Sequence, residues 1–255
     1  MSYPHSSAAA SRLEEIPSTG STNADLLARA ADADEWPHLS VLLTEDQRAG
    51  RGRLERSWVA PAGSALAVSV LLRVSDVPLA ERGWIPLAAG LAMAEAVSAQ
   101  LPRAAVGVKW PNDVLVGGRK ICGILAEAAG ADVVVVGAGV NTAMTAEQLP
   151  VPTATSFAVE GASCDRDLLV AGYIARLDGL LAALAEYGSA VASGLRDRVA
   201  ARCLTVGQEV RVSLPGGGEI LGRATGLAED GRIRVVDATG ERAIAAGDIV
   251  HLRAL

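Results

Sequence analysis

Residues 108–125 read VKWPNDVLVGGRKICGIL, which sets Lys109, Asn112, Asp113, Arg119 and Lys120 around a glycine turn whose other positions suit burial. A lysine at the edge of an apolar strand can aim its ammonium into a dry pocket. There a charge pair near 4 Å is worth roughly 4 kcal/mol at an effective dielectric of 20. Taken alone, Lys120 reads equally as a side chain that snorkels to water. A second cationic group lies upstream in Gly50-Arg51-Gly52-Arg53-Leu54-Glu55-Arg56, where small residues let the backbone approach a ligand and guanidinium groups can hold phosphate through paired hydrogen bonds. The alternative for that loop is a solvated basic surface. A third stretch, Val133 to Thr142 (VVVVGAGVNT), runs a strand into Gly137-x-Gly139. It lacks the third glycine and the long crossover helix of a dinucleotide site, so that reading is rejected. Two glycines at a strand end permit close contact with a small ligand, or form a plain turn. No Walker A sequence or metal-spaced histidine pair occurs, and His5, His38 and His251 are too scattered to build a catalytic triad.

The elements that must position these groups follow from periodicity and punctuation. In Ser21-Thr22-Asn23-Ala24-Asp25 a hydroxyl followed three residues later by an acid predicts a helix start, with the helix running to about residue 30. Residues 39–43 read as a buried strand, 44–58 as a polar loop, and 65–74 as another strand. Pro86 sits in the first turn of a helix over 84–101. Strands are predicted at 106–110, 113–116, 120–127 and 133–137, with Gly117-Gly118 as a two-residue turn. A long helix covers about 167–187. After Cys203, short alternating strands separated by glycine-bearing turns predict a small barrel of about five strands.

The 255 residues are half apolar, enough for a substantial core, and carry a net charge of −6, which disfavours a general polyanion binder. Aromatics are only 3 %, so little is available to stack single-stranded bases. Cys122, Cys164 and Cys203 are odd in number and far apart, which suggests neither a disulfide framework nor a zinc site and fits a reducing cytoplasm. Residues 1–15 read as a flexible tail with no signal peptide, and the longest uncharged stretch, 57–72, is too short and polar to span a bilayer.

Five motifs in order carry a resemblance: Gly20-Ser21-Thr22-Asn23; Glu45-x-Gln47-x-Ala49-Gly50-Arg51-Gly52-Arg53; Lys109-Trp110-Pro111-Asn112-Asp113; Gly118-Arg119-Lys120-x-x-Gly123-Ile124-Leu125; and Gly137-x-Gly139-x-Asn141. With the small β domain that follows, the chain resembles the biotin protein ligases from about residue 13 onward. The resemblance implies an α+β fold: a mixed, mainly antiparallel sheet with helices, like that of class II aminoacyl-tRNA synthetases, over residues 1–203, and an SH3-like β-barrel over 204–255. It implies ATP, Mg²⁺ and biotin as ligands and biotin carboxyl carrier domains of acyl-CoA carboxylases as protein partners. A monomer or weak homodimer is expected, with no membrane association.

By matching positions, Ser21, Thr22, Gln47, Gly50, Arg51, Gly137 and Gly139 would line a biotin pocket. Arg53, Arg56, Trp58, Asn112, Asp113 and Asn141 would lie on the nucleotide side, with Asn23, Lys109 and Gly123 in the same site. Lys120, Arg51 and Arg53 would be catalytic, Asp113 would help hold Mg²⁺, and Arg253 could reach over from the small domain. The chain departs from many relatives in having Leu54-Glu55 where they place another glycine, which touches the role of Arg56. Larger relatives carry a helix-turn-helix repressor domain, which the residues before Ser21 are too few to form, so no operator DNA binding is expected. The arginines of residues 46–57 repel one another until an anion arrives, which predicts a loop that orders over ligand. Two alternatives remain open at this level: a lipoate ligase or octanoyl transferase, and a non-catalytic binder of biotin or nucleic acid.

Overall fold

The computed structural model describes residues 3–214, 217–245 and 247–252. A seven-stranded sheet is built from β1 (Arg12–Glu15), β2 (Ser40–Thr44), β5 (Ala65–Arg73), β6 (Val106–Lys109), β7 (Asp113–Val116), β8 (Arg119–Ala128) and β9 (Val133–Asn141). Its order is β1-β2-β5-β9-β8-β7-β6, and only the β1–β2 pair is parallel. The polar loop predicted between β2 and β5 folds into a small hairpin, β3 (Gly50–Arg51) against β4 (Ser57–Trp58).

Alternation divides the sheet into two unlike faces. On β5 and β9, Leu66, Val68, Val70, Val136, Ala138 and Val140 enter the main core. That core is covered by two helices, α3 (Ile85–Gln100) and α4 (Arg166–Tyr187). Because α3 is apolar nearly all round and buried from Ile85 to Val97, it is a central helix rather than an amphipathic surface one. By length and composition α4 could cross a membrane, yet Leu169, Val170, Tyr173, Ile174 and Leu177 are fully buried in this core. The opposite face carries α2 (Thr22–Arg29), whose Leu26 packs with Leu42, Leu71 and Val135 over one half. The other half of that face holds few bulky side chains.

Residues 1–15 were expected to fray. Instead α1 (Pro4–Ala9) docks on α4, with the amides of His5 and Ser6 donating to the Asp167 carboxylate at 3.0 and 2.8 Å, and β1 joins the sheet edge. No periodicity announces a six-residue helix, and these bonds bridge more than 160 positions of sequence. A fifth helix, α5 (Leu195–Arg202), also lay outside the sequence expectation.

The C-terminal segment forms five antiparallel strands, β10 (Glu209–Ser213), β11 (Glu219–Leu227), β12 (Ile233–Asp237), β13 (Gly240–Ile244) and β14 (Asp248–His251). Their order is β13-β12-β11-β10-β14, so the expected SH3-like barrel is not closed: β13 and β14 are the two edges and do not pair. A flat sheet would hold those edges roughly 19 Å apart. Residues 244–248 reach at most about 14 Å. The short connection therefore curls the sheet without completing its ladder, a distinction that strand count and alternation do not encode.

Two tryptophans seat this sheet on the first. Trp84 Nε1 donates to the Glu229 carbonyl at 2.7 Å, and Trp110 Nε1 donates to the Gly231 carbonyl at 3.0 Å. Gly231 takes φ +83°, so the turn between β11 and β12 favours glycine, and an added Cβ there would also crowd Leu87 at 3.2 Å.

Candidate active site

The face with few side chains becomes a cavity floor through its register. Ala67 of β5 pairs with Gly139 of β9, which pairs with Gly123 of β8, while Ser69 pairs with Gly137 and then Leu125. Directly opposed residues point to the same side of a sheet. Five of the six side chains in these two rows are therefore hydrogen, methyl or hydroxymethyl groups. The space is used by incoming groups: the Trp58 indole lies over Gly139, where an added Cβ would come within 2.7 Å of it, and the Asn23 amide lies over Gly137. Gly137 and Gly139 thus stand inside β9, not at a strand end or turn.

Lys120 reaches this floor because of an irregularity. Asp113 pairs with Gly123 and Val114 with Cys122, but Leu115 pairs with Lys120, leaving Ile121 as an extra residue. Plain alternation would send Lys120 to the core face with Cys122 and Ile124. The bulge puts Ile121 in the core instead and turns Lys120 toward the cavity. Its ammonium lies 2.6 Å from Asp113 Oδ1. Gly117 and Gly118, at φ +55° and +79°, make the predicted turn.

Along the other wall, Ser21 caps α2, its hydroxyl accepting from Ala24 N at 3.4 Å. Gln47 Oε1 accepts from the Thr22 amide and hydroxyl at 2.9 and 3.1 Å. Gly50 is pinned between Gln47 and the Trp58 carbonyl, each of which would lie 2.5 Å from a Cβ. Arg51 pairs with Glu127 at 2.9 Å, and Arg53 donates to Asn112 Oδ1 at 3.2 Å. Arg56 pairs with Asp248 of β14, so the arginine loop bridges to the C-terminal sheet. Leu54 takes φ 54° and ψ 44° with half its surface exposed. Glycine adopts that conformation freely, whereas leucine does so at roughly 1–2 kcal/mol.

These segments enclose a cavity of about 350 Å³. Ser21, Thr22, Asn23, Gln47, Arg51, Arg53, Arg56, Trp58, Lys109, Asn112, Asp113, Lys120, Gly123, Gly137 and Gly139 line it. Gly50 acts from behind the wall. Asn141 is buried with its amide donating to the Thr155 carbonyl at 2.9 Å, and it is not on the wall. Arg253 lies outside the described residues. Burial draws the Arg53 pKa below its ordinary value, with Asp113 opposing the shift. Lys109 is likewise lowered by burial, against Asp113 and with Lys120 and Arg56. The site is therefore a partly dry cluster of cations over a floor that admits a flat, close-fitting ligand, which is chemistry for bringing anions together.

Sequence reasoning missed Glu127, Ser69 and the rim formed by Asp248, Ile249 and Val250. Glu127 left a signal, a carboxylate inside the apolar strand ICGILAEA. The rim left none, since it depends on how the second sheet docks.

Similarity to known proteins gives the family. The Biotin/lipoate A/B protein ligase family matches residues 15–141, and the biotin protein ligase C-terminal domain matches residues 205–252. Fold and site thus define a ligase of the biotin/lipoate class. The second match separates the biotin branch from the lipoate alternative. The chain is 42 % identical over 246 residues to the biotin--[acetyl-CoA-carboxylase] ligase of Mycobacterium tuberculosis, covering 95 % of this chain and 90 % of that one. It is 35 % identical to the bifunctional ligase/repressor BirA of Escherichia coli over 69 % of this chain and 55 % of that protein. The biotin protein ligase of Aquifex aeolicus, solved with biotin and ATP, superposes with a TM-score of 0.78 at 26 % identity, covering 96 % of this chain and all of that one. The chain belongs to the biotin protein ligases, and it is an enzyme.

Proposed function

We propose that both halves of ATP-dependent biotin attachment take place in this cavity. The biotin carboxylate attacks the α-phosphorus of ATP, the bond to the bridging oxygen breaks, and pyrophosphate leaves biotinyl-adenylate behind. The amine of a carrier-protein lysine then attacks the activated carbonyl, an amide forms, and AMP departs. The observation that carries this reading is the meeting of Arg51 and Arg53 with Lys109 and Lys120, from two distant segments, around one cavity. Two anions repel; a shared set of cations offsets that repulsion and follows charge onto the phosphoryl oxygens.

The bicyclic ring of biotin fits the small-residue floor between Thr22, Gln47, Gly137 and Gly139. The nucleotide lies toward Arg53, Arg56, Lys109, Asn112 and Asp113, and Lys120 stands between the two. Asp113 offers a hard carboxylate oxygen suited to a Mg²⁺ that rides on the triphosphate, where the ion would neutralise phosphate charge. The catalytic unit is residues 1–203, and residues 204–255 supply the rim at Asp248–Val250. The acceptor is a biotin carboxyl carrier domain, and incubation with biotin, Mg-ATP and such a domain adds one biotinyl group to its mass; an unmodified carrier would overturn the reading.

Lys109 gives this reading a pH signature. Only its protonated form attracts phosphate, and burial lowers its pKa below 10.5. kcat/KM for ATP is therefore full below that depressed pKa and falls as pH rises through it. Lys109→Arg, which stays charged, should move this alkaline limb upward; a pH profile unchanged by the substitution would remove Lys109 from the nucleotide side.

Closure of the arginine loop shields the adenylate from water. Its tie to the C-terminal sheet, Arg56 on Asp248, is an exposed ion pair of the kind worth under about 1 kcal/mol. Amide exchange in residues 46–57 should slow severalfold with biotin plus ATP, and exchange equally fast with and without ligand would count against closure.

A further inference from the structure

We infer that Glu127 is a positioning residue that fixes the donor and acceptor pattern offered to the ligand's ring at the cavity floor; this rests on biotin occupying that floor. Glu127 sits behind the wall, on the cavity-side register of β8 with Gly123 and Leu125, opposite Val135. Its carboxylate holds two lining residues at once. Oε2 accepts from Asn23 Nδ2 at 2.8 Å and from Arg51 NH2 at 3.1 Å, while Oε1 lies 2.9 Å from the same arginine nitrogen.

The consequence falls on the Asn23 amide. Its two N–H groups are committed to the Leu125 carbonyl at 3.1 Å and to Glu127. Reversing the amide would set its oxygen against a carboxylate and a carbonyl. Oδ1 is therefore held over Gly137, 2.6 Å from the Ser69 hydroxyl, whose one proton it shares with Thr22 Oγ1 at 2.7 Å. A carbonyl oxygen has two acceptor sites, so one remains for the cavity. Asn23 thus presents an acceptor, which suits a ring N–H of a cyclic urea and leaves a sulfur ring without N–H groups unable to satisfy it.

Glutamine at 127 keeps the shape but has one acceptor oxygen and an NH2 group. Whichever way that amide faces, its NH2 meets another donor: the Arg51 guanidinium when it takes the Oε1 place, or both Asn23 and Arg51 when it takes the Oε2 place.

The test is calorimetric titration of biotin, without ATP, into the full chain, Glu127→Gln, Asn23→Ala and the double variant. Glu127→Gln should weaken biotin binding about tenfold with ATP binding changed less than about twofold. Because it acts through Asn23, it should add less than about threefold on the Asn23→Ala background. Wild-type affinity in Glu127→Gln, a full tenfold addition in the double variant, or an equal loss for ATP would each overturn the assignment. Failure of the unsubstituted chain to bind biotin would instead bring down the site reading on which it stands.

Discussion

Lys120→Ala lowers biotin-dependent pyrophosphate release by about 10²–10³-fold while biotin binding stays measurable, the scale expected when one preorganised group facing developing charge is lost. The lysine is singular in how it arrives. It is brought to the cavity by the bulge at Ile121, touches the backbone space of Gly123, and stands 2.6 Å from Asp113. Alanine removes a cation and also takes from the Asp113 carboxylate its closest partner, leaving it less well compensated beside incoming phosphates. The ring-binding wall, Thr22 with Gln47 over the glycine floor, is untouched, which is why affinity for biotin survives. Full turnover in Lys120→Ala would remove the lysine from the chemistry.

Gly139→Ala should weaken biotin binding about 10- to 100-fold with little change in the thermal midpoint. The backbone at Gly139 is ordinary extended strand, so alanine is accepted there conformationally. Its methyl, however, would lie 2.7 Å from Trp58 Cε2 and 2.9 Å from Cζ2. Overpacking of this kind costs typically 1–3 kcal/mol. Here the tryptophan sits on the β3–β4 hairpin and can shift, so the penalty appears as a displaced wall and an encroached floor rather than as unfolding. Biotin affinity unchanged in Gly139→Ala would mean that the ring does not lie on this part of β9.

The glycines show what a single sequence can and cannot disclose. Gly117-Gly118 was legible because a two-residue hairpin demands positive φ at both positions, and only the turn explains the pair. Gly137 and Gly139 were legible as a place where something approaches closely, yet their position in mid-strand was not, because glycine reads locally as punctuation. Their use emerges only when Ala67, Ser69 and Gly123 are aligned beside them by strand pairing. The mainly antiparallel sheet, α2, α3 and α4 were visible in apolar spacing and capping residues. That the C-terminal sheet stays open was not, since alternation specifies faces but not which edges meet.

Among the site residues, Arg51, Arg53 and Lys120 could be named from motifs, while their partners could not. Glu127, Asn112 and Asp248 hold Arg51, Arg53 and Arg56 respectively, across 59 to 192 positions of sequence. Asn141 illustrates the converse: it belongs to a motif, but its amide is consumed by the Thr155 carbonyl.

The most direct measurement is a crystal structure with biotin and a non-hydrolysable ATP analogue. The biotin carboxylate and α-phosphate should lie together within charge-assisted hydrogen-bond reach of Lys120, about 2.7–2.9 Å, with Arg51 and Arg53 turned onto the anions. A carboxylate bound elsewhere, with Lys120 still held by Asp113, would contradict the claim that these cations join the two substrates.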